Sequence, residues 1–337
     1  MIAPVLPDIG MILPTQSEEK PLPSISIVVP NFNGGATIEA TLVSLIEQNY
    51  PKLEILVADG GSTDNSLEVI REYESHITWW VSEKDRGQSD AINKGFARAK
   101  GEIVNWLCSD DILLSGALHA VGRAFLDDPM PDLVAGPCQF RYLDHPERNR
   151  VDTPSAEMLE LMPCTNPLPQ PGCFFRRSLL DRDPILDVDL HFAMDFDLWN
   201  YLYQRGAKWK FIPDVLSVMN FSDTNKTSTG RVKITQEFET IYKRYVHERI
   251  PLTYWHRLLR YPLEQVRRRN RGALFACLIY FPYQCAIIAV LSPFYGFRRV
   301  RWMNWAEFGL RAFCEQAVVQ WLRDRIQAHR AMFSRLI

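Results

Sequence analysis

The stretch ISIVVPNFN, residues 25–33, decides the fold of this chain, because it joins a buried strand to a polar turn. Its first part is a short apolar run, rich in β-branched residues and bounded by proline, which is typical of a strand buried on both faces. The segment TIEATLVSLIEQ (37–48) follows, with its apolar residues on one helical stripe and Thr37 as a candidate N-cap. The sequence therefore predicts a strand followed by an amphipathic helix.

The same pattern repeats further along the chain. LEILVADGGSTD (53–64) predicts a second buried strand that ends in a glycine-rich turn, a helix is predicted over 66–73, and the apolar run 103–107 predicts another strand. This alternation indicates an α/β fold with a mostly parallel, Rossmann-like sheet flanked by helices, in which ligands bind outside the carboxyl ends of the strands. Polar clusters follow the strands at 30–33, 59–62 and 109–111.

Two adjacent carboxylates, Asp110 and Asp111, follow the apolar run NWLC. Like charges this close repel, and burial adds a desolvation cost, so a hard divalent cation such as Mg²⁺ or Mn²⁺ would stabilise them. A surface turn with two solvated carboxylates is the alternative for a bare pair of aspartates. The apolar approach to this pair favours the metal.

A second pair of carboxylates stands in AMDFDLW, residues 193–199, at the start of a predicted helix. Asp195 and Asp197 are two residues apart, so on a helix they point in different directions and only one of them would face a site. Asp195 is the candidate general base, and Asp197 is a candidate cap or salt-bridge partner. On spacing alone, helix capping remains equally open for the pair.

Taken together, these motifs resemble family 2 glycosyltransferases of the GT-A fold, over about residues 24–229. The order and spacing of the set carry the resemblance, since no single motif is specific. The matching segments are VPNFN (29–33), LVADGGSTDNS (56–66), SEKDRGQSDAINKGFARAKGEI (82–103), LCSDD (107–111), QPGCFFRRSLL (170–180) and AMDFDLW (193–199).

The resemblance implies a nucleotide-diphosphate sugar donor, most often a UDP-sugar, and an enzyme that inverts the anomeric centre. Asp195 would be the catalytic base, Asp110 the metal ligand of the DxD element, and Asp111 its support. Asp59 would hydrogen-bond the base of the nucleotide. The donor-binding residues implied by the match are Pro30, Phe32, Asn33, Asp59, Arg86, Asn93, Ser109 and Asp110.

Residues near the junction of donor and acceptor follow from the same resemblance. Gln88, Ser89 and Gln170 are the candidates for binding the acceptor, a hydroxyl of a lipid- or saccharide-linked molecule in surface polysaccharide or glycolipid biosynthesis. Helix capping is the alternative for Ser89, and a buried strand with a basic end is the alternative to an acceptor wall at 174–177.

Three positions depart from the family pattern. Cys108 stands where the DxD element often begins with Asp or Asn, which leaves fewer protein ligands for the metal. Met194 stands where Glu often precedes the catalytic Asp. Asn220 and Ser222 replace an Arg and a His of the late loop.

Other functional classes find less support. No GxGxxG joins the first strand to its helix and no Walker pattern is present, so an NAD or P-loop site is not indicated. A nucleotidyltransferase of related fold would need a basic loop after the first strand, and NFNGG has neither Lys nor Arg. A nucleotide-sugar-binding protein without catalysis would lack the base that Asp195 provides.

The charge of the 337-residue chain is unevenly distributed. The formal net charge is −2, but residues 1–230 carry 19 basic and 33 acidic side chains, whereas residues 231–337 carry 19 basic and 7 acidic ones. Seven scattered cysteines without a CxxC pair indicate free thiols in a reducing compartment. We therefore expect a flexible Pro-rich arm without a secretory signal (1–23), a catalytic domain (24–230) and a basic helical C-terminal region (231–337).

The C-terminal region contains an uncharged apolar segment, residues 272–296, with arginines on both sides. Pro282 near its middle and the basic residues on both flanks favour a segment that lies in the plane of a membrane, or re-enters it, over one that spans it. This predicts a peripheral or monotopic protein at the cytoplasmic face of a membrane. A buried core helix is the alternative, and nucleic acid is not expected as a partner because the arginines bracket an apolar stretch.

Overall fold

The computed structural model describes residues 20–127, 129–162, 166–222, 226, 231–246, 281–297 and 300. The first 19 residues of the expected N-terminal arm, residues 272–280 of the apolar segment and the arginines that flank this segment lie outside the described residues.

Eleven strands and eight α-helices make up the described part of the chain. The strands are β1 (Ile25–Asn31), β2 (Leu53–Asp59), β3 (Trp79–Ser82), β4 (Ile103–Trp106), β5 (Ile112–Leu113), β6 (Leu133–Ala135), β7 (Cys138–Tyr142), β8 (Arg150–Asp152), β9 (Cys173–Arg176), β10 (Trp209–Phe211) and β11 (Ser217–Phe221). The helices are α1 (Ile38–Ile46), α2 (Ser66–Glu72), α3 (Gln88–Phe96), α4 (Ala117–Ala124), α5 (Ala156–Leu159), α6 (Met194–Gln204), α7 (Arg231–Tyr245) and α8 (Phe281–Tyr295).

The main sheet has seven strands in the order β10-β6-β9-β4-β1-β2-β3. Its pairs are parallel except where β9 runs antiparallel to β4 and β6. The predicted α/β fold with a mostly parallel sheet is therefore confirmed. The carboxyl ends of β1, β2, β3 and β4 meet at one edge, as parallel strands must.

Helices cover both faces of this sheet, which explains the continuous apolar runs of its strands. Alternate residues of β1 point to opposite faces: Ile27 packs in one cluster with Leu42 of α1, and Val28 packs in the other with Phe96 of α3. Trp106 of β4 stacks on Trp199 of α6, with ring centroids 5.9 Å apart. The stack fastens α6 to the sheet.

A glycine lets α3 lie close against the sheet. A Cβ at Gly95 would come within 2.3 Å of Val28 Cγ1, so any larger residue would push the helix off β1. This close packing sets the position of the first turn of α3, which carries Gln88 and Ser89, relative to the strand ends.

A smaller sheet, in the order β5-β11-β7-β8, lies beside the main one. Its strand β11 runs parallel to β7 and antiparallel to β5. Residue Asn220 of β11 is thereby brought to the turn after β4, which carries Asp110 and Asp111. The late part of the chain thus contributes to the edge where the early strands end.

Two helices of the basic C-terminal region are described. The apolar residues of the segment VKITQEFETIYKRYV recur at helical spacing, and the structure shows it as α7, whose Ile241 and Tyr242 are buried. Ile287 and Leu291 of α8 pack with Tyr242 in a separate cluster, so α8 is joined to the rest of the protein through α7. Within the described residues, no helix combines the length and the apolar character needed to cross a bilayer.

The structure decides two local interpretations of the sequence. Thr37 stands at the N-cap of α1 as predicted, although its side chain makes no capping hydrogen bond and donates to the carbonyl of Gly34 instead. Phe174 and Phe175 form no acceptor wall: both are fully buried in β9, because this strand is central in the sheet and has neighbours on both sides. The buried-strand alternative is therefore correct.

Candidate active site

Asp59, at the end of β2, ties three strand ends together. Its buried carboxylate accepts hydrogen bonds from Asn31 Nδ2 (2.8 Å), from the backbone amide of Ser62 (2.9 Å) and from Ser82 Oγ (2.6 Å). Burial raises the pKa of Asp59, but the hydrogen bonds from Ser62, Ser82 and Asn31 outweigh it, so the pKa lies below its ordinary value. Asp59, which was expected to contact a nucleotide base, is thus ionised and holds together the turns at the ends of β1, β2 and β3.

The turn after β1 displays an aromatic ring at the same edge. Phe32 is 66% exposed, whereas Pro30 is buried within the strand. Asn33 has a positive φ of 51° and is held by its amide, which donates to Ser62 Oγ (2.7 Å), and by its Oδ1, which accepts from the amide of Thr63 (2.9 Å). The ring therefore has a rigid base and a free face, suited to stacking against a planar ligand.

An acidic cluster occupies the turn after β4. Cys108, Asp110 and Asp111 each offer a ligand atom, and these atoms lie within 4.8 Å of one another. Burial, followed by the charge of Asp110, raises the pKa of Asp111 well above its ordinary value, and burial also raises the pKa of Asp110. Two crowded carboxylates that are difficult to ionise fit a divalent cation, which would restore their charged form.

The neighbours of this cluster hold it in shape. Asn220 donates from its backbone amide to Asp111 Oδ1 (3.2 Å) and from its side chain to the carbonyl of Asp110 (2.7 Å). Ser109 lies against the turn after β1, where a Cβ on Gly34 would come within 2.7 Å of its Oγ. The asparagine that departs from the family pattern thus positions the cluster directly.

The positively charged side chain of Lys226 lies next to the acidic cluster. Lys226 Nζ donates to Gln88 Oε1 (3.3 Å), Gln88 Nε2 donates to Cys108 Sγ (3.0 Å), and the ammonium also lies 5.3 Å from the centroid of the Phe192 ring. Burial lowers the pKa of Lys226. The candidate acceptor residue Gln88 therefore links the lysine to the cysteine of the cluster.

Asp195 lies in the first turn of α6 in a half-buried position. Its Oδ2 accepts from Asn166 Nδ2 (2.7 Å), and its Oδ1 accepts from the amide of Phe196 (2.7 Å). Burial raises the pKa of Asp195 to about 6, with a smaller contribution from the charge of Glu237. Such a carboxylate is a stronger base than a solvated one and is still mostly ionised at neutral pH, which suits general base catalysis.

The loop before α6 is fastened to α3. Ser89 Oγ donates to the carbonyl of Leu190 (2.9 Å), and Asn93 exchanges two hydrogen bonds of 2.8 Å with the backbone of Leu186. Gly87, with a φ of 115°, is the N-cap of α3, so the capping interpretation of Ser89 is wrong. Ser89 and Asn93 thus fix the position of the loop that leads to Asp195.

Two further candidates lie at the margins. Arg86 is exposed, pairs with Asp90 (3.4 Å), and lines an open cavity of about 550 Å³ together with Asp187 and Arg244. Gln170 is buried, and its Nε2 donates to the carbonyl of Trp106 (2.8 Å), so it braces the end of β4 from behind.

Residues 26–196 match the family model described as glycosyl transferase family 2. The chain belongs to that family. Among curated relatives, the uncharacterized protein MT1568 of Mycobacterium tuberculosis is 29% identical over 294 residues, 80% of this chain and 86% of that protein. The GalNAc(5)-diNAcBac-PP-undecaprenol beta-1,3-glucosyltransferase of Campylobacter jejuni is 34% identical over 104 residues, 30% of this chain and 34% of the relative.

Solved structures share the fold. The mannosyltransferase PcManGT from Pyrobaculum calidifontis, in complex with GDP-Man and Mn²⁺, matches with a TM-score of 0.53 at 21% identity over 91% of each chain. S. aureus TarS 1-349 in complex with UDP matches with a TM-score of 0.51 at 18% identity, over 87% of this chain and 90% of that one. The protein is thus a family 2 glycosyltransferase with the mixed α/β fold of these neighbours.

Within this family 2 site, three contributors make contacts that the sequence alone did not predict. Asn166 contacts Asp195, Glu237 binds the loop before α6, and Lys226 reaches Gln88, yet none stands in a motif next to its partner. Lys226 belongs to the late loop MNFSDTNKTS (219–228), where it keeps the family pattern, but its partner could not be read from the sequence. The signal for Glu237 is faint, because it is one of several charged residues on an amphipathic helix.

Proposed function

We propose that this protein is an inverting glycosyltransferase that moves a sugar from a UDP-sugar to a hydroxyl group of a polysaccharide or glycolipid. The observation that carries the proposal is the proximity of base and acidic cluster. Lys226 Nζ lies 5.3 Å from the ring centroid of Phe192, three residues before Asp195, and donates to Gln88, which in turn donates to Cys108 Sγ. The segment that carries the base and the acidic cluster therefore share a neighbouring side chain.

In this proposal Asp195 accepts the proton of the acceptor hydroxyl. The hydroxyl oxygen attacks the anomeric carbon from the face opposite the leaving nucleotide, the bond to the diphosphate breaks, and the configuration inverts. Asn166 and the amide of Phe196 bind the two carboxylate oxygens and orient them. A pKa of about 6 supports this role, since it combines basicity with ionisation at neutral pH.

Negative charge develops on the leaving diphosphate, so the site needs positive charge beside it. We propose that Asp110 and Asp111 hold Mn²⁺ or Mg²⁺, which supplies this charge when bound. Lys226, next to Cys108, contributes a second cation. The complex of PcManGT with GDP-Man and Mn²⁺ supports a divalent cation in a related fold.

The donor would lie across the ends of β1, β2 and β4. Phe32 offers an exposed ring to the base, and Asn33 fixes the turn beneath it. The neighbours in complex with UDP and with GDP-Man support a nucleotide-sugar and leave two bases to compare. We propose UDP, and calorimetry with UDP and GDP tests the choice: tighter binding of GDP would contradict it.

We further propose that the acceptor is met at the cytoplasmic face of a membrane. The undecaprenol-linked substrate in the name of the C. jejuni relative supports a lipid-linked acceptor. Val290 and Phe294 of α8 and the nearby Phe297 are 61%, 79% and 56% exposed. An uncharged helix with exposed large apolar side chains suits the plane of a membrane.

Replacing the proposed base tests the reaction. Asp195→Asn keeps the size of the side chain and removes its basicity, so turnover should fall by about 10² to 10⁴-fold while calorimetry shows unchanged UDP binding. Asp189→Asn, at an exposed carboxyl in the loop before α6, is the matched control and should retain full activity.

Two results would contradict the proposed base. Near-normal turnover of Asp195→Asn would remove Asp195 from the chemistry, and loss of UDP binding would make it a structural residue. The anomeric configuration of the product, read by NMR, tests inversion separately.

A further inference from the structure

Glu237 of α7 binds the backbone immediately before the proposed catalytic base. Its Oε1 accepts from the amide of His191 (2.9 Å), and its Oε2 accepts from the amides of Phe192 (2.7 Å) and Ala193 (2.9 Å). One carboxylate thus satisfies three successive N–H groups, at the N-cap of α6 and at the two residues before it. Such a set is rarely assembled by chance, because each bond constrains the same short segment.

The N-cap of α6 cannot supply this contact itself. Its N-cap residue is Ala193, which has no polar side chain, and no side-chain cap is formed there. The first N–H groups of a helix lack partners within the helix, and a negative charge near them is stabilising. Glu237 supplies both the acceptor and the charge from another element.

Helix α7 contacts the start of α6 at two further levels. Phe238 stacks on Phe196, with ring centroids 4.6 Å apart, and Arg244 Nη1 donates to Asp197 Oδ1 (2.7 Å). Helix α7 therefore contacts the first turn of α6 on both sides of Asp195. It binds residues 191–193 before Asp195, and Phe196 and Asp197 after it. The α7 helix lies beyond residue 196, where the match to the family model ends.

From these contacts we infer that Glu237 is a positioning residue, which orients Asp195 for proton transfer by fixing residues 191–193. The inference rests on the proposed role of Asp195 as base. Glu237 touches backbone amides and not the reacting atoms, so its effect reaches the reaction through the placement of α6. The catalytic unit of this protein then extends past the family-matched segment to include α7.

Kinetics of Glu237→Gln in the full chain test the inference. The amide keeps one oxygen acceptor but turns an NH₂ group toward the backbone, so at least one of the three bonds is lost. Displacement of a catalytic group by about 1 Å can cost about 10²-fold, so kcat should fall by about 10 to 10²-fold with little change in the KM for the donor. Glu239→Gln, at the carboxylate that pairs with Lys243 on the same helix, should leave kcat unchanged.

Hydrogen exchange supplies a readout that does not depend on turnover. The amides of residues 191–193 should exchange faster in Glu237→Gln than in the parent or in Glu239→Gln, while the thermal midpoint stays close to that of the parent. Glu237→Asp keeps the charge with a shorter reach and should fall between parent and Glu237→Gln in both kcat and exchange.

Several outcomes would overturn the inference. A kcat of Glu237→Gln within twofold of the parent would do so, as would unchanged exchange at 191–193. Faster exchange across the whole chain with a lowered midpoint in both Glu237 variants would show a general structural role instead. A wrong assignment of the base gives a different result. In that case Asp195→Asn keeps its turnover, regardless of how Glu237→Gln changes amide exchange at residues 191–193.

Discussion

At the scale of single residues, Cys108 sets this site apart from the pattern of its family. Its thiol stands in the acidic cluster but accepts a hydrogen bond from Gln88, and burial raises its pKa well above the ordinary value. A neutral thiol is a weak partner for a hard cation, whereas Asp110 and Asp111 offer the oxygen ligands that Mn²⁺ and Mg²⁺ prefer. The two carboxylates therefore carry the proposed metal site.

We predict that the metal site responds in opposite directions to two substitutions. Asp110→Asn should remove most Mn²⁺ binding, and Cys108→Asp should tighten it by about tenfold, because an added carboxylate raises the number of charged ligands. Titration followed by the Mn²⁺ electron paramagnetic resonance signal, in the presence of UDP, measures both.

The control for the thiol is Cys285→Ser, at an exposed position on α8. Treatment with EDTA should abolish turnover of the parent protein, and added Mn²⁺ should restore it. Full turnover in EDTA would show that Asp110 and Asp111 serve only the structure.

At the scale of elements, the buried carboxylate of Asp197 joins α6 to α7 and to the loop before α6. Asp197 is fully buried and contacts Arg182 Nη2 (2.8 Å) and Arg244 Nη1 (2.7 Å), and Arg244 also donates to Asp187 (2.8 Å). The sequence left Asp197 as a cap or a salt-bridge partner. The structure decides for the salt bridge, because the arginines come from the loop before α6 and from a helix beyond the family motifs.

Removing this buried carboxylate should destabilise the protein. Asp197→Ala removes the buried partner of Arg182, while Arg244 is partly exposed and keeps its pair with Asp187, so the free energy of unfolding should fall by about 1–3 kcal/mol. Urea denaturation followed by circular dichroism measures the change. Asp181→Ala, which removes an exposed pair with Arg205, should have a much smaller effect.

A comparable loss in both variants would contradict the importance of burial for this pair. A stable Asp197→Ala protein would show that α7 is held to α6 by the stacked Phe238 and by Glu237 alone.

At the scale of the whole molecule, α7 connects α6 with α8. It contacts the start of α6, and its Tyr242 packs with Ile287 and Leu291 of α8. The exposed apolar side chains of α8 are thus linked through α7 to the helix that carries Asp195. A membrane bound by α8 would therefore hold a lipid-linked acceptor at a constant distance from the base.

We predict that the exposed apolar side chains at the end of α8 carry vesicle binding. The combined substitution of Val290, Phe294 and Phe297 by Ser should weaken flotation of the full chain with phosphatidylglycerol vesicles by at least about tenfold, because each large apolar side chain contributes about 1.5–3 kcal/mol when buried. Met130→Ser with Leu143→Ser removes exposed apolar side chains elsewhere and is the control.

Equal flotation of the two variants would assign binding to another part of the chain. A parent protein that does not float at all would contradict the membrane proposal, while leaving the proposed reaction open to its own tests.

The order of β1, α1, β2, α2 and β4 and the clustering of polar turns at one edge followed from the sequence by itself, whereas the short strand β3 was not predicted. Period and composition report whether a segment is buried on one face or two, and the strands of a parallel sheet bring their carboxyl ends together wherever they lie in the chain. Several of the motifs that identify the family lie in those turns, so Asp110 and Asp111 could be selected without coordinates. Asp195 could be selected from the motif AMDFDLW at the start of a predicted helix.

Only the tertiary structure decided which side chains serve those residues. Glu237, Asn166 and Lys226 reach the site from segments far away along the chain, where local pattern carries no information about a partner. Conversely, Asp59 and Ser89 stand in recognisable motifs, but their hydrogen bonds hold other turns of the protein. The pKa of about 6 at Asp195 has the same origin, because burial and the neighbouring Glu237 charge arise only when α6 and α7 pack together.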